Sequence, residues 1–490
     1  MEPRPSVRPH LALPPSAAHF VDGNQRWLAC AVSIALLMAL HAHHGVVKLP
    51  YDSAEYWDLA RITVFFEYAS PRGYLFPLLL VPVRWIGERL GDPVGVLRLS
   101  LSLIYGVALP LLVPVAYQLA FGGKVTFWRR LVPVVLLALI FPGLLIYPLS
   151  DLPALLMALA ALWLALRALQ AGGWRQWGLW WLAGNLAGAA YNTRTIYMLA
   201  VLVLLLLAAC VRRQGADGFL RRLLAVMAVV AGIVTVLVPQ LVFNRLTHGV
   251  STLAVRPIVE NRSIFANQLV WGLTLQRYES TLAPEARQGA NFYLDPAGER
   301  LFKAMAAEGN LFSMRHYASS VLANPLSFAA LYGRHVVSGL DVRDGVVYTR
   351  KPSPARHRTA AFNFIVLLLS TWVLAAAGAS RGAWQDAGFH APSPAWPFAL
   401  LLLLLPVAAV VPGAIETRFF VPLHLLAYAS LACWFDAGAL LRFLGRRWLA
   451  VGFVSLLLAA TFFSVSLATM SRFQQTWPDL YRYGPAGPSR

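Results

Sequence analysis

The stretch WLACAVSIALLMALHAHH, residues 27–44, is followed closely by YDSAEYW, residues 51–57. The first stretch is almost wholly apolar, and its length is close to the ~20 residues with which a helix crosses a bilayer. The second stretch brings two carboxylates, Asp52 and Glu55, to the end of that helix. Charge at this boundary of so apolar a chain indicates either a helix cap or a chemical site.

The composition of the chain excludes a soluble globular protein. Of its 490 residues, 58% are hydrophobic and 13% are charged, and the mean hydropathy is +0.60. Backbone polar groups in lipid must be satisfied within the chain, so the repeated apolar runs predict an all-α polytopic bundle.

The net charge of +19 comes mainly from arginines in short loops. That distribution is typical of membrane topology and anionic headgroups, not of nucleic-acid binding. The cysteines lie in apolar runs and predict no disulfide framework.

The apolar runs predict about eleven membrane-spanning helices. Their approximate ranges are 27–44, 95–118, 130–148, 151–170, 177–193, 195–211, 221–243, 361–379, 396–413, 418–441 and 447–470. The further run at 73–90 is predicted to be interfacial, because Pro77, Pro82 and Arg84 interrupt it. Omitting it puts the basic loops 212–222 and 442–447 on the side of the N-terminus, which the positive-inside bias makes cytoplasmic.

This topology divides the chain into five parts. A Pro-rich cytoplasmic tail covers 1–26, and a membrane module covers 27–243, with a first external loop at 45–94 that holds interfacial helices. An external domain of about 115 residues follows at 244–360, too large for a simple connector. Membrane helices at 361–470 and an external tail at 471–490 complete the chain. The dominance of Arg, Leu and Ala is typical of a GC-rich bacterial genome, and the predicted location is the bacterial inner membrane.

Further charged residues fall in short external turns on the same face as Asp52, namely Asp151, Arg194, Glu416 and Arg418. Each has a structural alternative. Asp52 and Glu55 fit a capping box, and Asp151 fits a helix start. Arg194 fits a side chain that snorkels to the headgroups, and Glu416 with Arg418 fits a helix-end ion pair. The occurrence of two acids and a cation on the same face of the membrane favours a functional site over these structural alternatives.

Histidines also stand at the outer end of the first span, at positions 41, 43 and 44. Imidazole is a common metal ligand, but histidines at a membrane interface are more often unliganded. We therefore do not predict a metal site there.

Five motifs occur in a fixed order along the chain: Asp52-Ser53-Ala54-Glu55-Tyr56, Pro71-Arg72-Gly73-Tyr74, Asp151-Leu152-Pro153, Thr193-Arg194-Thr195 and Arg418-Phe419-Phe420-Val421-Pro422-Leu423-His424. In order, spacing and sidedness they resemble the GT-C glycosyltransferases that use polyprenyl-phosphate sugars. That superfamily includes protein O-mannosyltransferases and the lipid A aminoarabinose transferase. The resemblance covers about the first 245 residues and recurs near 324–343 and 416–428. The chain departs from the family pattern at two positions. Ser53 stands where the family has a second acid. Ser70 stands where some relatives have a lysine, and Arg72 is the substitute for that lysine.

The resemblance implies transfer of a sugar from a polyprenyl-phosphate donor to a glycan, lipid or protein acceptor on the external face, with inversion. By the same resemblance, the expected catalytic residues are Asp52, Glu55 and Asp151, the donor-phosphate residues are Arg194, Arg72 and Arg418, and other site residues are Tyr56, Glu416 and His424. A carboxylate such as Asp52 can take the acceptor proton, and a fixed cation such as Arg194 can stabilise the leaving phosphate.

Other readings of the site stay open. Asp151 can instead hold a divalent metal or orient the acceptor, so no cofactor is assigned. No P-loop or dinucleotide fingerprint is evident, which fits a donor that is not a nucleotide. The alternative function is a transporter or flippase of a lipid-linked anion. Against it, the charges lie at one face and no inverted repeat is visible.

Overall fold

The computed structural model describes residues 15–61, 72–210, 218–256, 258–259, 262–283, 289–308, 313–351, 354, 356–379 and 389–475. Within these ranges most residues are helical. The helices are α1 Pro15–His44, α2 Tyr51–Leu59, α3 Leu75–Leu90, α4 Pro93–Phe121, α5 Phe127–Ile140, α6 Pro142–Ile146, α7 Asp151–Gln170, α8 Gly173–Thr193, α9 Met198–Cys210, α10 Phe219–His248, α11 Ile264–Thr274, α12 Pro296–Glu308, α13 Met314–Ala323, α14 Pro325–Leu340, α15 His357–Ala379, α16 Trp396–Val410, α17 Val421–Trp434, α18 Ala437–Arg446 and α19 Trp448–Met470. The strands are β1 Ile258–Val259, β2 Arg262–Ser263, β3 Leu275–Ser280, β4 Ala290–Leu294 and β5 Phe473–Gln474.

Six helices among the described residues are long and apolar enough to cross a membrane. They are Asn24–His44, Pro93–Phe121, Asp151–Gln170, Phe219–His248, His357–Ala379 and Trp448–Met470. A bent pair, Thr417–Trp434 with Ala437–Arg446, makes a seventh if it is counted as one span. The chain is therefore a helical membrane protein. The predicted interfacial run at 73–90 corresponds to α3, which is not among these candidate spans.

Two predicted spans are broken in the structure. The helix in the run 130–148 is interrupted at Phe141, because Pro142 lacks the backbone N–H that would continue α5. The run 418–441 bends by 101° between α17 and α18. There Phe435 is extended, and the Asp436 carboxylate accepts a hydrogen bond of 2.8 Å from the Ala439 N–H, which starts a new helix.

Helices α8 and α10 pack at short distances that glycine permits. A Cβ on Gly184 of α8 would lie 2.2 Å from the Val229 carbonyl oxygen, and one on Gly232 of α10 would lie 2.1 Å from the Trp181 carbonyl oxygen. Close backbone approach at small residues is how membrane helices gain packing energy without a hydrophobic driving force. This contact holds the C-terminal end of α8, and therefore Arg194, against its neighbours.

The predicted external domain contains structure that the sequence did not predict. Strands β3, β4 and β5 form a three-stranded antiparallel sheet, in which Phe292 pairs with Gln474 and Tyr293 with Phe473. The segment after α19 is thus joined to the domain by β5. Helices α11, α12 and α14 pack around a small separate core that includes Leu273, Phe302 and Phe328.

Parts of several predictions lie outside the described residues. These are positions 1–14 of the N-terminal tail, Pro71 and Ser70 of the second motif, most of the basic loop at 212–222, and positions 476–490 of the C-terminal tail.

Candidate functional site

The Asp52 carboxylate makes ion pairs and does not cap its helix. Helix α2 begins at Tyr51, after Pro50, and has no side-chain cap hydrogen bond. Asp52 Oδ1 instead accepts a hydrogen bond of 2.7 Å from Arg72 Nη2, and Oδ2 accepts one of 2.8 Å from Arg418 Nη2. The capping alternative for Asp52 is therefore wrong. Both of its oxygens are held by guanidinium groups, while about 30% of the side chain is exposed.

Arg72 makes several contacts within the segment 45–94, between the first two candidate spans. Besides Asp52 it pairs with Glu55 at 3.0 Å, from Nη2 to Oε2, and its Nη1 donates a hydrogen bond of 2.8 Å to the Tyr56 hydroxyl. The Tyr56 hydroxyl in turn donates to Ser150 Oγ at 2.8 Å. The guanidinium also lies over the Tyr56 ring, 4.7 Å from its centroid. These contacts connect α2 to the residue immediately before α7.

Asp151, the first residue of α7, pairs with Arg194 in the turn after α8. Arg194 Nη1 lies 2.8 Å from Asp151 Oδ1, and the guanidinium lies 4.9 Å from the Phe419 ring centroid. Asp151 is only 3% exposed and Arg194 18%, so Arg194 is packed into the protein and does not snorkel. Asp151 Oδ2 is buried, has no hydrogen-bond partner among the described residues, and lies 3.8 Å from Arg418 Nη1.

Arg418 links three acids. It precedes α17 in a 3-10 turn, Thr417–Phe420, and its Nε and Nη2 both lie 2.8 Å from Glu416 Oε2. The predicted Glu416–Arg418 ion pair is therefore present, and Arg418 extends it to Asp52 and Asp151. Glu416 Oε1 and Arg418 Nη1 are buried and have no hydrogen-bond partners within the part of the chain that the structure describes. Together these residues form what we call the charge cluster, which consists of Asp52, Glu55, Arg72, Asp151, Arg194, Glu416 and Arg418.

The cluster shifts the pKa values of its members. Burial alone would raise the pKa of the Asp52 carboxyl, but the guanidinium groups of Arg418 and Arg72 outweigh it and hold that pKa well below its ordinary value. Burial likewise opposes the charge of Arg72, yet Tyr56, Asp52 and Glu55 raise its pKa. Glu416 responds in the opposite direction to Asp52. Burial, together with the nearby Asp52 and Asp151 charges, raises the pKa of Glu416 to about 7 despite Arg418.

A short backbone contact holds Arg72 in place. A Cβ on the next residue, Gly73, would lie 1.8 Å from the Asn192 carbonyl oxygen at the end of α8. Asn192 Oδ1 accepts a hydrogen bond of 2.9 Å from the Leu75 N–H, and its amide donates to Gln240 Oε1 at 2.8 Å. Only glycine fits at position 73. The charged residue before it, Arg72, therefore stands where its own segment and the end of α8 approach each other closely.

Tyr348 and Tyr278, which belong to the segment 244–360, border the cluster, and sequence reasoning did not identify them. The Tyr348 hydroxyl accepts a hydrogen bond of 3.1 Å from the Ser53 N–H, and Tyr51 donates to the Thr281 carbonyl at 2.7 Å. Burial raises the pKa of Tyr278 on β3, and the Glu416 carboxylate raises it further. A small cavity next to Arg418 is also lined by Glu279, Asp344 and Thr349. Residues of the segment 244–360 therefore complete one wall of the site.

The structure does not bring His424 to the charge cluster. Its Nδ1 lies 3.1 Å from the Phe420 carbonyl oxygen one turn earlier, and its ring packs edge-on against Phe141. As for metals, no group of three or more His, Cys, Asp or Glu within the described residues could hold an ion. The cluster acids each face a guanidinium group.

A second buried charge group, which we call the Asp341 network, lies beside the site. Arg343 Nε donates to Asp341 Oδ2 at 2.9 Å, and Ser466 Oγ of α19 donates to the same oxygen at 2.6 Å. Arg277 Nη1 donates to the Asp341 carbonyl at 2.6 Å and also pairs closely with Glu279. This network joins β3, the end of α14 and α19.

No family model matches the chain, no curated protein matches it, and no solved structure matches it. The chemistry of the charge cluster has to be inferred from its own geometry.

Proposed function

We propose that the chain is a membrane glycosyltransferase of the GT-C type, which transfers a sugar from a polyprenyl-phosphate donor to a glycan, lipid or protein acceptor. The observation that supports it best is the convergence of Asp52, Asp151 and Arg418 with two further arginines. Asp151 is the first residue of one candidate span, and Arg418 is the second residue of the bent one. The cluster therefore lies where helices leave the apolar layer, which is where a lipid-linked phosphate would be.

Three guanidinium groups in one cluster suit a phosphate. Guanidinium binds phosphate oxygens through paired N–H donors, and such charge-assisted bonds are stronger in a partly buried site. Arg194 and Arg418 are both largely shielded from solvent. As the bond to the sugar breaks, negative charge grows on the leaving phosphate, and fixed cations stabilise that charge without reorganisation.

The transfer step can be written with these residues. The acceptor hydroxyl oxygen forms a bond to the anomeric carbon, and the bond between that carbon and the phosphate oxygen breaks. The electron pair of the broken bond leaves with the polyprenyl phosphate, and the acceptor proton passes to Asp52. Because the attack comes from the face opposite the leaving group, the anomeric configuration inverts.

Asp52 can act as a base only after one of its ion pairs opens. Both of its oxygens are held by Arg72 and Arg418, and its pKa is depressed as a result. A donor phosphate that takes over one guanidinium would free an oxygen and raise the basicity of the carboxylate. We therefore propose that donor binding precedes proton transfer and prepares Asp52 for it.

We further propose a topology of about eleven spans in the bacterial inner membrane, with a cytoplasmic N-terminus and the charge cluster on the periplasmic side. The bent and shorter helices, α5 with α6, α8, α9, α16 and α17 with α18, would then span together with the six long ones. Single cysteines test the sidedness in a background without Cys30, Cys210 and Cys433. Lys303→Cys should react with a membrane-impermeant maleimide in intact spheroplasts, and Arg442→Cys should not. The reverse labelling pattern would put the cluster on the cytoplasmic side.

The test of the function is mass spectrometry of cell-envelope glycans and lipids from cells with and without the gene. Loss of one sugar, restored by the wild type and not by Asp52→Asn, supports transfer. The matched control is Asp58→Asn, because Asp58 lies on the same helix, is 69% exposed and lies outside the cluster. If the purified protein moves a lipid-linked sugar across vesicles without breaking its bond to phosphate, the chain is a flippase.

A further inference from the structure

A polar cleft lies at the opposite end of α7 from the charge cluster. It is lined by Trp163, Arg167, Gln170, Ala171, Arg175 and Leu179, from the last turns of α7 and the first turns of α8. Asp151 begins α7 and Gln170 ends it. At 1.5 Å of rise per residue, the two ends are roughly 28 Å apart, close to the thickness of the hydrocarbon layer. The cleft therefore lies at the other membrane boundary.

The donors in this cleft lack protein acceptors. Arg167 and Arg175 are exposed, and neither guanidinium group makes a hydrogen bond or an ion pair with any residue in the described ranges. The Trp163 Nε1–H is buried and likewise has no acceptor there. Two other arginines at this boundary donate to backbone carbonyls. Arg129 donates 2.6 Å to the Cys433 carbonyl, and Arg130 donates 3.0 Å to the Pro110 carbonyl.

The surroundings of the cleft are those of a headgroup layer. Trp174, in the first turn of α8, is 86% exposed, and tryptophan is enriched where a helix meets the membrane interface. Leu179 and the Trp163 ring supply an apolar wall beside the two guanidinium groups. A ligand that fits this combination is an anion joined to an apolar body. A basic pocket between membrane helices is a recurrent site for such lipids.

We propose that the α7–α8 cleft binds the headgroup phosphate of an anionic phospholipid in the leaflet opposite the charge cluster. Arg167 and Arg175 hold the phosphate oxygens, and the apolar wall contacts the upper acyl chain. Because α7 also carries Asp151, a lipid bound here stabilises the helix that positions the cluster. This site does not depend on the proposed transferase activity.

Native mass spectrometry of the delipidated full-length protein, titrated with phosphatidylglycerol or with phosphatidylcholine, tests the site. Wild type should bind phosphatidylglycerol at least tenfold more tightly than phosphatidylcholine. The double variant Arg167→Gln/Arg175→Gln should lose that preference for phosphatidylglycerol. The matched control is Arg446→Gln/Arg447→Gln, a second arginine pair at the α18–α19 junction, which should change the affinity by less than twofold.

Three results would overturn the site. Equal loss in the control pair would mean that general surface charge retains the lipid. Unchanged binding in the double variant would mean that the lipid binds elsewhere. Pyrophosphate that binds wild type as tightly as phosphatidylglycerol, and not the double variant, would mean that the cleft holds a soluble anion.

Discussion

Arg418 Nη2 lies 2.8 Å from Asp52 Oδ2, although 366 positions separate the two residues in the chain. The contact joins the turn before α17 to the short helix after the first span. Through the same guanidinium group, Asp52 is coupled to Glu416 at 2.8 Å and to Asp151 at 3.8 Å. A change in any one of these charges must therefore alter the electrostatic interactions of the others. Four of the predictions below use that coupling.

The first prediction concerns the charge of Asp52. Asp52→Asn keeps the shape and removes the carboxylate that would take the acceptor proton, so transfer should fall by about 100- to 10,000-fold, the range for loss of a general base. Initial rates with a purified polyprenyl-phosphate sugar measure this. The exposed Asp58→Asn on the same helix should keep near wild-type rates. Equal rates in wild type and Asp52→Asn would remove Asp52 from the reaction.

Arg194 gives a second prediction, because it contacts Asp151 through one nitrogen only and leaves the rest of its fork available. Arg194→Lys keeps the charge and loses the planar fork, so it should retain partial activity. Arg194→Ala should cost about 2–4 kcal/mol in transition-state stabilisation, by comparison with loss of one oxyanion donor. It should also bind a soluble short-chain polyprenyl phosphate more weakly.

Folding must be separated from function for this variant, because Arg194→Ala leaves the buried Asp151 charge without its closest partner. The double variant Asp151→Asn/Arg194→Ala removes both charges and serves as the control. Weak phosphate binding that persists in the double variant assigns the effect to the lost guanidinium. Recovery of wild-type binding would make Arg194 only a counter-ion of Asp151.

The third prediction is a pH dependence that comes from Glu416. Its pKa is raised from 4.5 to about 7, so in this window the folded state binds more protons than the unfolded state. Stability must therefore fall as the pH rises from 4.5 through 7. Wild type should lose thermal stability relative to Glu416→Gln over that range. The opposite contribution from Asp52, whose pKa is depressed, is lost only below its ordinary value of 3.8, outside the window.

Thermal unfolding midpoints in detergent between pH 5 and pH 8 check the Glu416 prediction. The control is Glu88→Gln, since Glu88 is about half exposed and lies on α3 away from the cluster. Its curve should run parallel to that of wild type. If the Glu416→Gln curve is also parallel to wild type, Glu416 stays ionised in the folded protein.

The charged residues at the ends of apolar runs could be identified from the sequence. Charge is rare there, and the end of an apolar run marks the position of each residue. Asp52, Asp151, Arg194 and Arg418 were all found in this way, and the structure brings them together. What the sequence could not show is pairing over long separations. Asp52 looked like a helix cap because local spacing fits a capping box, whereas its partners come from distant segments.

Residues within the polar segment 244–360 gave no comparable signal. Arg277, Asp341 and Arg343 stand in a polar stretch where charges are ordinary, yet each is about 1% exposed. The sheet of β3, β4 and β5 was missed because its strands are short and one comes from the segment after α19. The bend at Phe435 was missed because the apolar composition continues through it.

The Asp341 network supports a prediction about stability. Asp341→Asn leaves the buried Arg343 guanidinium without the charge that faces it, so unfolding should become easier by about 3–5 kcal/mol, as expected when one partner of a buried ion pair is removed. Ser466→Ala removes one neutral donor to the same carboxylate and should cost about 1 kcal/mol. Chemical denaturation in detergent micelles compares the two. A smaller loss for Asp341→Asn than for Ser466→Ala would contradict this account.

The last prediction follows from the fact that Arg72 and Arg418 already hold an anion, the Asp52 carboxylate, at 2.7 and 2.8 Å. A donor phosphate has to compete with that carboxylate for the guanidinium groups and is also repelled by its charge. Asp52→Asn removes both effects, so it should bind polyprenyl phosphate more tightly than wild type, by about tenfold or 1.4 kcal/mol, although its transfer rate is strongly reduced. Isothermal titration with a soluble short-chain polyprenyl phosphate measures the affinity, and Asp58→Asn should match wild type. Equal or weaker binding in Asp52→Asn would mean that the phosphate does not exchange with Asp52, and that donor binding does not prepare the base.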